Sequence, residues 1–366
     1  MMMKMITKHF QLVVLAVLLI LSPSLFAQKV KDTYENGNPK YEGVFKKKMK
    51  IGVHSEWYEN GNQKSVENYD KEGNQVGVQS YWYENGNQQK FITLDKNQKR
   101  DGLYREWYED GNPKYEGIFK DTIKILKHSA WYENGNPKFI ENYNEQEIFH
   151  GQQSYWFEDG NQNWVGNFTN GIKDGSFTYW YENGNKKYMQ TFKDSILNGL
   201  CYTWYESGQL ESQEVYEMAI PHGEWIQYYQ SGGKRTVTTF EKGTVTGPFF
   251  SYFEDGQIES EGNLTDGKEN GEWKYYYENG QLESIGKIDM AKAVGEWKTY
   301  YDNGQLLSEG NYKEDERQDA WKWYYRDGKL SKEGSYQLGT KDGHWVKYNH
   351  EGKIVKEGDF IDGKLR

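Results

Sequence analysis

The stretch GEWKYYYENGQLESIGKID, residues 271–289, decides the fold. Its centre, Asn279-Gly280, is flanked by aromatic residues that alternate with polar ones, the strongest short-range signal for a β-hairpin. Read with a two-residue type I′ turn at Asn279 and Gly280, Glu278 faces Gln281, Tyr277 faces Leu282, Tyr276 faces Glu283 and Trp273 faces Gly286. Alternate residues of a strand point to opposite faces, so this register gathers Trp273, Tyr275, Tyr277, Leu282 and Ile288 on a core face, with Gly286 among them.

The same turn recurs from end to end, with its glycine at Gly37, Gly61, Gly86, Gly111, Gly135, Gly160, Gly184, Gly208, Gly232, Gly256, Gly280, Gly304, Gly328 and Gly352. The intervals are 24 or 25 residues, and the extra residue falls in the connecting loop, as in DKEGNQVG (70–77). Repeats of this period are tandem supersecondary units whose cores form between neighbours. The fold expected is all-β: an elongated antiparallel β-meander, a solenoid-like array of 14 β-hairpin repeats of about 24 residues. Two strands per repeat make about 28 in all.

Three repeat columns sharpen the reading. The residue eight after the turn glycine is apolar throughout, from Phe45 and Tyr69 to Tyr336 and Phe360, and is expected to be buried. Phe249, Trp273, Trp297, Trp321 and Trp345 each fall opposite a glycine (Gly262, Gly286, Gly310, Gly334, Gly358), which an aromatic ring would cover. On the otherwise polar face, the residue four before the turn glycine forms an aromatic ladder: Trp57, Trp82, Trp107, Trp131, Trp156, Trp180 and Trp204, then Tyr228 to Tyr348. Those seven tryptophans are the candidate binding surface. The change from Trp to Tyr coincides with a change of turn sequence, which divides the repeats into a Trp-ladder block, 28–208, and a Gly-x-Trp/Gly-Gln-Leu block, 209–366.

The first 27 residues differ in kind. Lys4 and Lys8 precede an apolar run, Leu12 to Leu21, and then Ser22-Pro23-Ser24-Leu25-Phe26-Ala27, the pattern of a secretory signal peptide cleaved after Ala27. The chain is therefore expected to be exported, to the periplasm, the outer surface or the medium. The run is too short for a membrane-spanning helix, so the mature chain is expected to carry no integral membrane segment. Past Ala27 the acidic residues outnumber the basic ones by twelve. That surface repels nucleic acid phosphates.

Catalysis finds no foothold. Cys201 is the single cysteine; it falls in the column of Trp273 and reads as a buried, inert thiol. His54 and His128 share that column, and the seven histidines have no zinc-site spacing, so they read as scattered surface residues. The turn glutamates recur in nearly every repeat, which marks them as architecture. No enzymatic activity, metal or cofactor is expected.

The sequence Gly-x-Trp, Tyr-Tyr-Tyr-Glu-Asn-Gly-Gln-Leu, Glu-Gly-x-Tyr and a Lys-Asp-Gly loop resembles the MORN repeat family, best in 247–270, 271–294 and 295–318. It is most similar to the bacterial variant described as the YwqK-type toxin–antitoxin antitoxin family. The resemblance implies a hairpin array that works by protein association or membrane-proximal scaffolding, and an antitoxin role that export would confine to exported toxins. The expectation is a protein-protein interaction scaffold. The alternative is a cell-envelope binder of glycan or choline, because rows of exposed aromatic rings stack on sugars and cage quaternary ammonium groups.

Overall fold

The computed structural model describes residues 26–366, so the expected signal peptide lies, but for Phe26 and Ala27, outside the described residues. Those residues contain strands and turns and no helix. Twenty-eight strands have six residues or more, as expected, and five two-residue strands accompany them. The chain divides into two compact units, 1–173 and 174–366. Within each, successive strands pair antiparallel with their chain neighbours, as a meander does.

Away from its tip the expected hairpin register holds. Trp273 pairs with Gly286 and Gly271 with Ile288, and Phe249, Trp297, Trp321 and Trp345 pair with Gly262, Gly310, Gly334 and Gly358. The tip differs. Gly280 N–H donates to the Tyr277 carbonyl at 2.8 Å and Tyr277 N–H to the Gln281 carbonyl at 2.9 Å, while Gly280 alone has positive φ, at 78°. This is a three-residue loop, a β-turn followed by a left-handed glycine bulge, in place of the two-residue type I′ turn. Tyr276 consequently pairs with Leu282 rather than Glu283, and the ladder shifts by one residue before Tyr275 meets Ser284.

The type I′ geometry belongs to the connecting loops. Met290 and Ala291 have φ of 47° and 71° between the paired Asp289 and Lys292, and Lys47-Lys48, Asp194-Ser195 and Glu314-Asp315 do the same. The 25-residue intervals arise where this loop gains one residue. At Lys71-Glu72-Gly73, Gly73 N–H donates to the Asp70 carbonyl at 3.3 Å and Asp70 N–H to the Asn74 carbonyl at 2.9 Å.

The column eight after the turn glycine is less buried than expected: Phe119 and Ile288 are buried, the others half-buried. The deepest positions lie seven before the turn glycine, where Phe177, Cys201, Trp273, Trp321 and Trp345 sit with His54, Gln79, His128 and Gln153.

Candidate functional site

The Trp ladder is continuous in sequence and uniform in environment: Trp57, Trp82, Trp107, Trp131, Trp156, Trp180 and Trp204 are all half-buried. Each strand that carries a ladder residue alternates with a returning strand, so Trp57 pairs with Gln63 and Trp107 with Pro113. Within each unit, successive ladder rings are thus separated by two strand spacings, about 10 Å. In the second unit the Lys186 ammonium lies over the Trp204 ring, 5.4 Å from its centre.

The ladder backbone is stitched from repeat to repeat by the turn motif. The Tyr58 hydroxyl donates to the Trp82 carbonyl at 2.9 Å, Tyr277 to Tyr300 at 2.8 Å, and Tyr325 to Tyr348 at 2.7 Å. Asn60 and Asn62 both donate from their side-chain amides to the Glu84 carbonyl, at 2.8 and 2.9 Å. A recurring Tyr-Glu-Asn-Gly-Asn is therefore a cross-repeat clamp as well as a turn. Phe157 and Phe253 take the tyrosine's place in two repeats and lack the hydroxyl.

The deep column overturns the reading of the histidines as surface residues. His54 and His128 are 1% and 0% exposed; His150, His222, His344 and His350 are exposed as expected. His54 Nε2 lies 2.9 Å from the Val44 carbonyl, and His128 Nε2 lies 2.9 Å from the Ile118 carbonyl. A carbonyl only accepts, so Nε2 carries the proton, and Nδ1 accepts from the hydroxyl of Tyr41 or Tyr115. Burial holds both imidazoles below their ordinary pKa.

Around each histidine is a matching polar cluster, three repeats apart. Glu67 accepts from Tyr69 at 2.7 Å, Tyr81 at 3.1 Å and Lys50 at 3.4 Å. Glu141 accepts from Tyr143 at 2.7 Å, from Lys124 at 3.4 Å and from Tyr155 at 2.5 Å. Burial alone would raise the Glu67 pKa, but the Tyr69 and Tyr81 hydroxyls and the Lys50 ammonium hold it below the usual range. The carboxylate in turn pushes up the pKa values of Tyr69 and Tyr81, on top of burial.

From Trp225 on, the second unit fills the same column with indoles, except at Phe249. Trp225, Trp273, Trp297, Trp321 and Trp345 donate Nε1–H to the carbonyls of Val215, Asn263, Lys287, Asn311 and Ser335 at 2.9, 3.2, 3.2, 3.0 and 3.1 Å. The rings lean over the glycine of the preceding strand: a Cβ at Gly262, Gly286, Gly310 or Gly334 would collide with Trp273, Trp297, Trp321 or Trp345. Each of these four glycines is therefore covered by the ring of the strand that follows it, in place of the Cα partner that the register assigned: Trp297 and not Trp273 stands against Gly286, and at Gly358 the nearest side chain is Leu365 and not Trp345. Cys201 is buried, 5% exposed, and burial raises its thiol pKa.

Among the described residues no three His, Cys, Asp or Glu side chains are placed to hold a metal ion, and no helix is long and apolar enough to cross a membrane.

Fold and columns together define a class, the all-β proteins of tandem hairpin repeats. Seven segments, residues 100–121, 173–194, 197–218, 245–266, 269–287, 293–314 and 320–338, match the MORN repeat variant. No curated protein matches. Among solved structures, a crystal structure of TcdB2-TccC3-Cdc42 is 11% identical with a TM-score of 0.18, covering 90% of this chain and 24% of that one. The Tc holotoxin pore of Photorhabdus luminescens is 10% identical with a TM-score of 0.17, covering 92% of this chain and 19% of that one. This chain spans a quarter or less of their length, and an overlap this weak carries no argument about function.

Proposed function

We propose that the protein is a non-catalytic, exported scaffold for protein-protein interaction. The observation that carries this reading is a column of exposed isoleucines on the connecting-loop edge of the first unit. Ile123, Ile148 and Ile172 occupy one position of three successive repeats and are 38%, 41% and 45% exposed. Ile196 and Ile220 hold the same repeat position in the second unit and are 37% and 48% exposed. A row of exposed apolar side chains is a surface that a partner can cover, and MORN-type repeats suggest protein or lipid interaction. An antitoxin role, implied by the YwqK-type resemblance, is the special case in which the partner is an exported toxin. Replacing Ile123, Ile148 and Ile172 together by Ser should abolish capture of envelope partners in cross-linking while leaving the circular dichroism spectrum unchanged. Undiminished capture would refute this reading.

A second reading, glycan or choline binding on Trp57 through Trp204, is favoured by the Lys186 ammonium over Trp204, since a ring that holds one cation on its face suits another. Acrylamide quenching of tryptophan fluorescence tests it. Quenching suppressed by choline or oligosaccharide supports the ladder as a platform, and quenching indifferent to both removes it.

A further inference from the structure

We propose that the last repeats hold a binding site for a compact dianionic oxyanion, a phosphate group or sulfate ion, built from Lys332, Lys341, Lys347 and Lys356, with the charge of Arg317 beside it. The argument begins with what the same columns do in the first unit. Lys50 and Lys124, eleven residues before their turn glycines, are neutralised by Glu67 and Glu141, each 3.4 Å away. Those carboxylates stand six after a turn glycine. In the last repeats the cation column is kept, at Arg317 and Lys341, but the carboxylate column has become Gly334 and Gly358.

Further cations are added where other repeats carry hydroxyls. Thr203 and Ser212, Ser251 and Ser260, and Thr299 and Ser308 are cross-strand pairs joined at 2.8, 2.7 and 2.6 Å. The equivalent positions here are Trp323 and Lys332, then Lys347 and Lys356. Lys332 also pairs with Lys347, so three lysines stand side by side on three consecutive strands. Like charges directly opposite destabilise a sheet.

No described residue balances them: none of the five cations makes an ion pair. Nearby carboxylates are engaged otherwise, Glu309 by Tyr324 at 2.7 Å, Glu333 by Tyr348 at 2.7 Å, Asp359 by His344 at 2.9 Å, Asp319 by Gln318 at 3.4 Å and Glu357, which lines the pocket, by His344 at 3.5 Å. Instead three of them rest on indoles. The Lys332 ammonium is 3.9 Å from the Trp323 ring centre, Lys341 is 4.2 Å from Trp345, and the Arg317 guanidinium is 4.9 Å from Trp321. Burial, then the charges of Lys341, Arg317 and Lys347, lowers the Lys332 pKa. Beside Lys332, Lys341, Lys347 and Lys356 is a pocket of about 130 Å³, lined also by Trp345, Phe360 and one acidic residue, Glu357. Its size admits one small group. The cations call for a group with more than one negative charge and several acceptor oxygens, which a phosphate or sulfate provides.

Calorimetry and thermal melting of the purified chain test this, with inorganic phosphate or sulfate added at constant ionic strength against chloride. The parent should show saturable binding and a rising melting midpoint, and Lys347→Met should weaken binding about tenfold or more. In chloride alone Lys347→Met should raise the midpoint, because it removes two like-charge contacts, whereas Lys124→Met, which breaks an ion pair, should lower it. Hexose 6-phosphate distinguishes a phosphate ester on a larger molecule, which binds more tightly than the free ion, from the free ion itself; either result supports the site. Equal midpoint gains in the parent and Lys347→Met would mean general salt stabilisation and overturn the proposal. So would a lowered Lys347→Met midpoint without saturable binding, which would make the lysines structural alone.

Discussion

The deep column of the first unit and that of the second solve one problem with different chemistry. In the first it holds His54, Gln79, Tyr104, His128 and Gln153; in the second, from Trp225 on, it is almost all tryptophan. Imidazole and indole alike donate an N–H to the carbonyl ten residues earlier, beside a break in the strand ladder. Gln79 and Gln153 serve repeats whose connecting loop is one residue longer. Gln79 donates to the Asn68 carbonyl at 3.1 Å and accepts from the Asn68 N–H at 2.9 Å, and Gln153 treats Asn142 the same way at 2.9 and 2.8 Å. A primary amide reproduces both groups of a peptide rung, which neither ring can do. The position therefore selects for a donor to an exposed carbonyl as much as for apolarity, because a buried unpaired carbonyl is costly.

The comparison breaks first at its largest residue. Trp273→Ala removes a 2% exposed indole, bares Gly262 and orphans the Asn263 carbonyl, and should cost about 3–5 kcal/mol in denaturant unfolding. Trp273→His, which keeps a ring N–H, should recover part of that loss; no recovery would reduce the column to hydrophobic packing. Next in size, Gly286→Ala sets a methyl against the Trp297 ring and should cost about 1–3 kcal/mol. Combined with Trp297→Ala its effect should shrink, as a double-mutant cycle would measure.

Acid should separate the two units. His54 and His128 are buried as neutral rings with pKa values below the ordinary 6.5, among Tyr41, Lys50 and Glu67 in one cluster and Tyr115, Lys124 and Glu141 in the other. The unfolded chain then takes up protons before the folded one does. Their contribution is fully present above about pH 6.5 and is lost as the pH falls from there through the folded values. Hydrogen exchange should show the first unit loosening in that window, and His54→Gln with His128→Gln should flatten the response. The smallest effect concerns the clamp: Phe253→Tyr supplies the missing hydroxyl for the Tyr276 carbonyl and should stabilise by about 0.5–1.5 kcal/mol, with Tyr325→Phe costing a similar amount.

Much of this architecture was legible from residues alone. The spacing of the turn glycines set the repeat, the alternation in 271–289 set the register of the strand bodies, and the tryptophan–glycine pairing follows from that register. The seven ladder tryptophans were located as a column, but their half-buried state was not legible, since the alternation of a strand tells which face a residue is on and not how far its neighbours cover it. The buried histidines were missed because His reads as polar. The signal available was that His54 and His128 share the column of Trp273 and that each follows, by eleven residues, a glycine, Gly43 or Gly117, whose place the ring needs.

By itself the sequence determined a hairpin array, its period and its pairing, because these follow from the two-residue periodicity of strands and the positive φ of recurrent glycines. Only the tertiary structure decided which turn each loop adopts, over which neighbouring strand a ring leans, and which charges go unbalanced. Asn279-Gly280 suits either hairpin turn; the bulged form is the one in which Asn279 reaches the Asp302 carbonyl of the next repeat, at 2.7 Å. Such choices rest on contacts between repeats, and a local pattern repeated in every unit carries no mark of what its neighbour lacks.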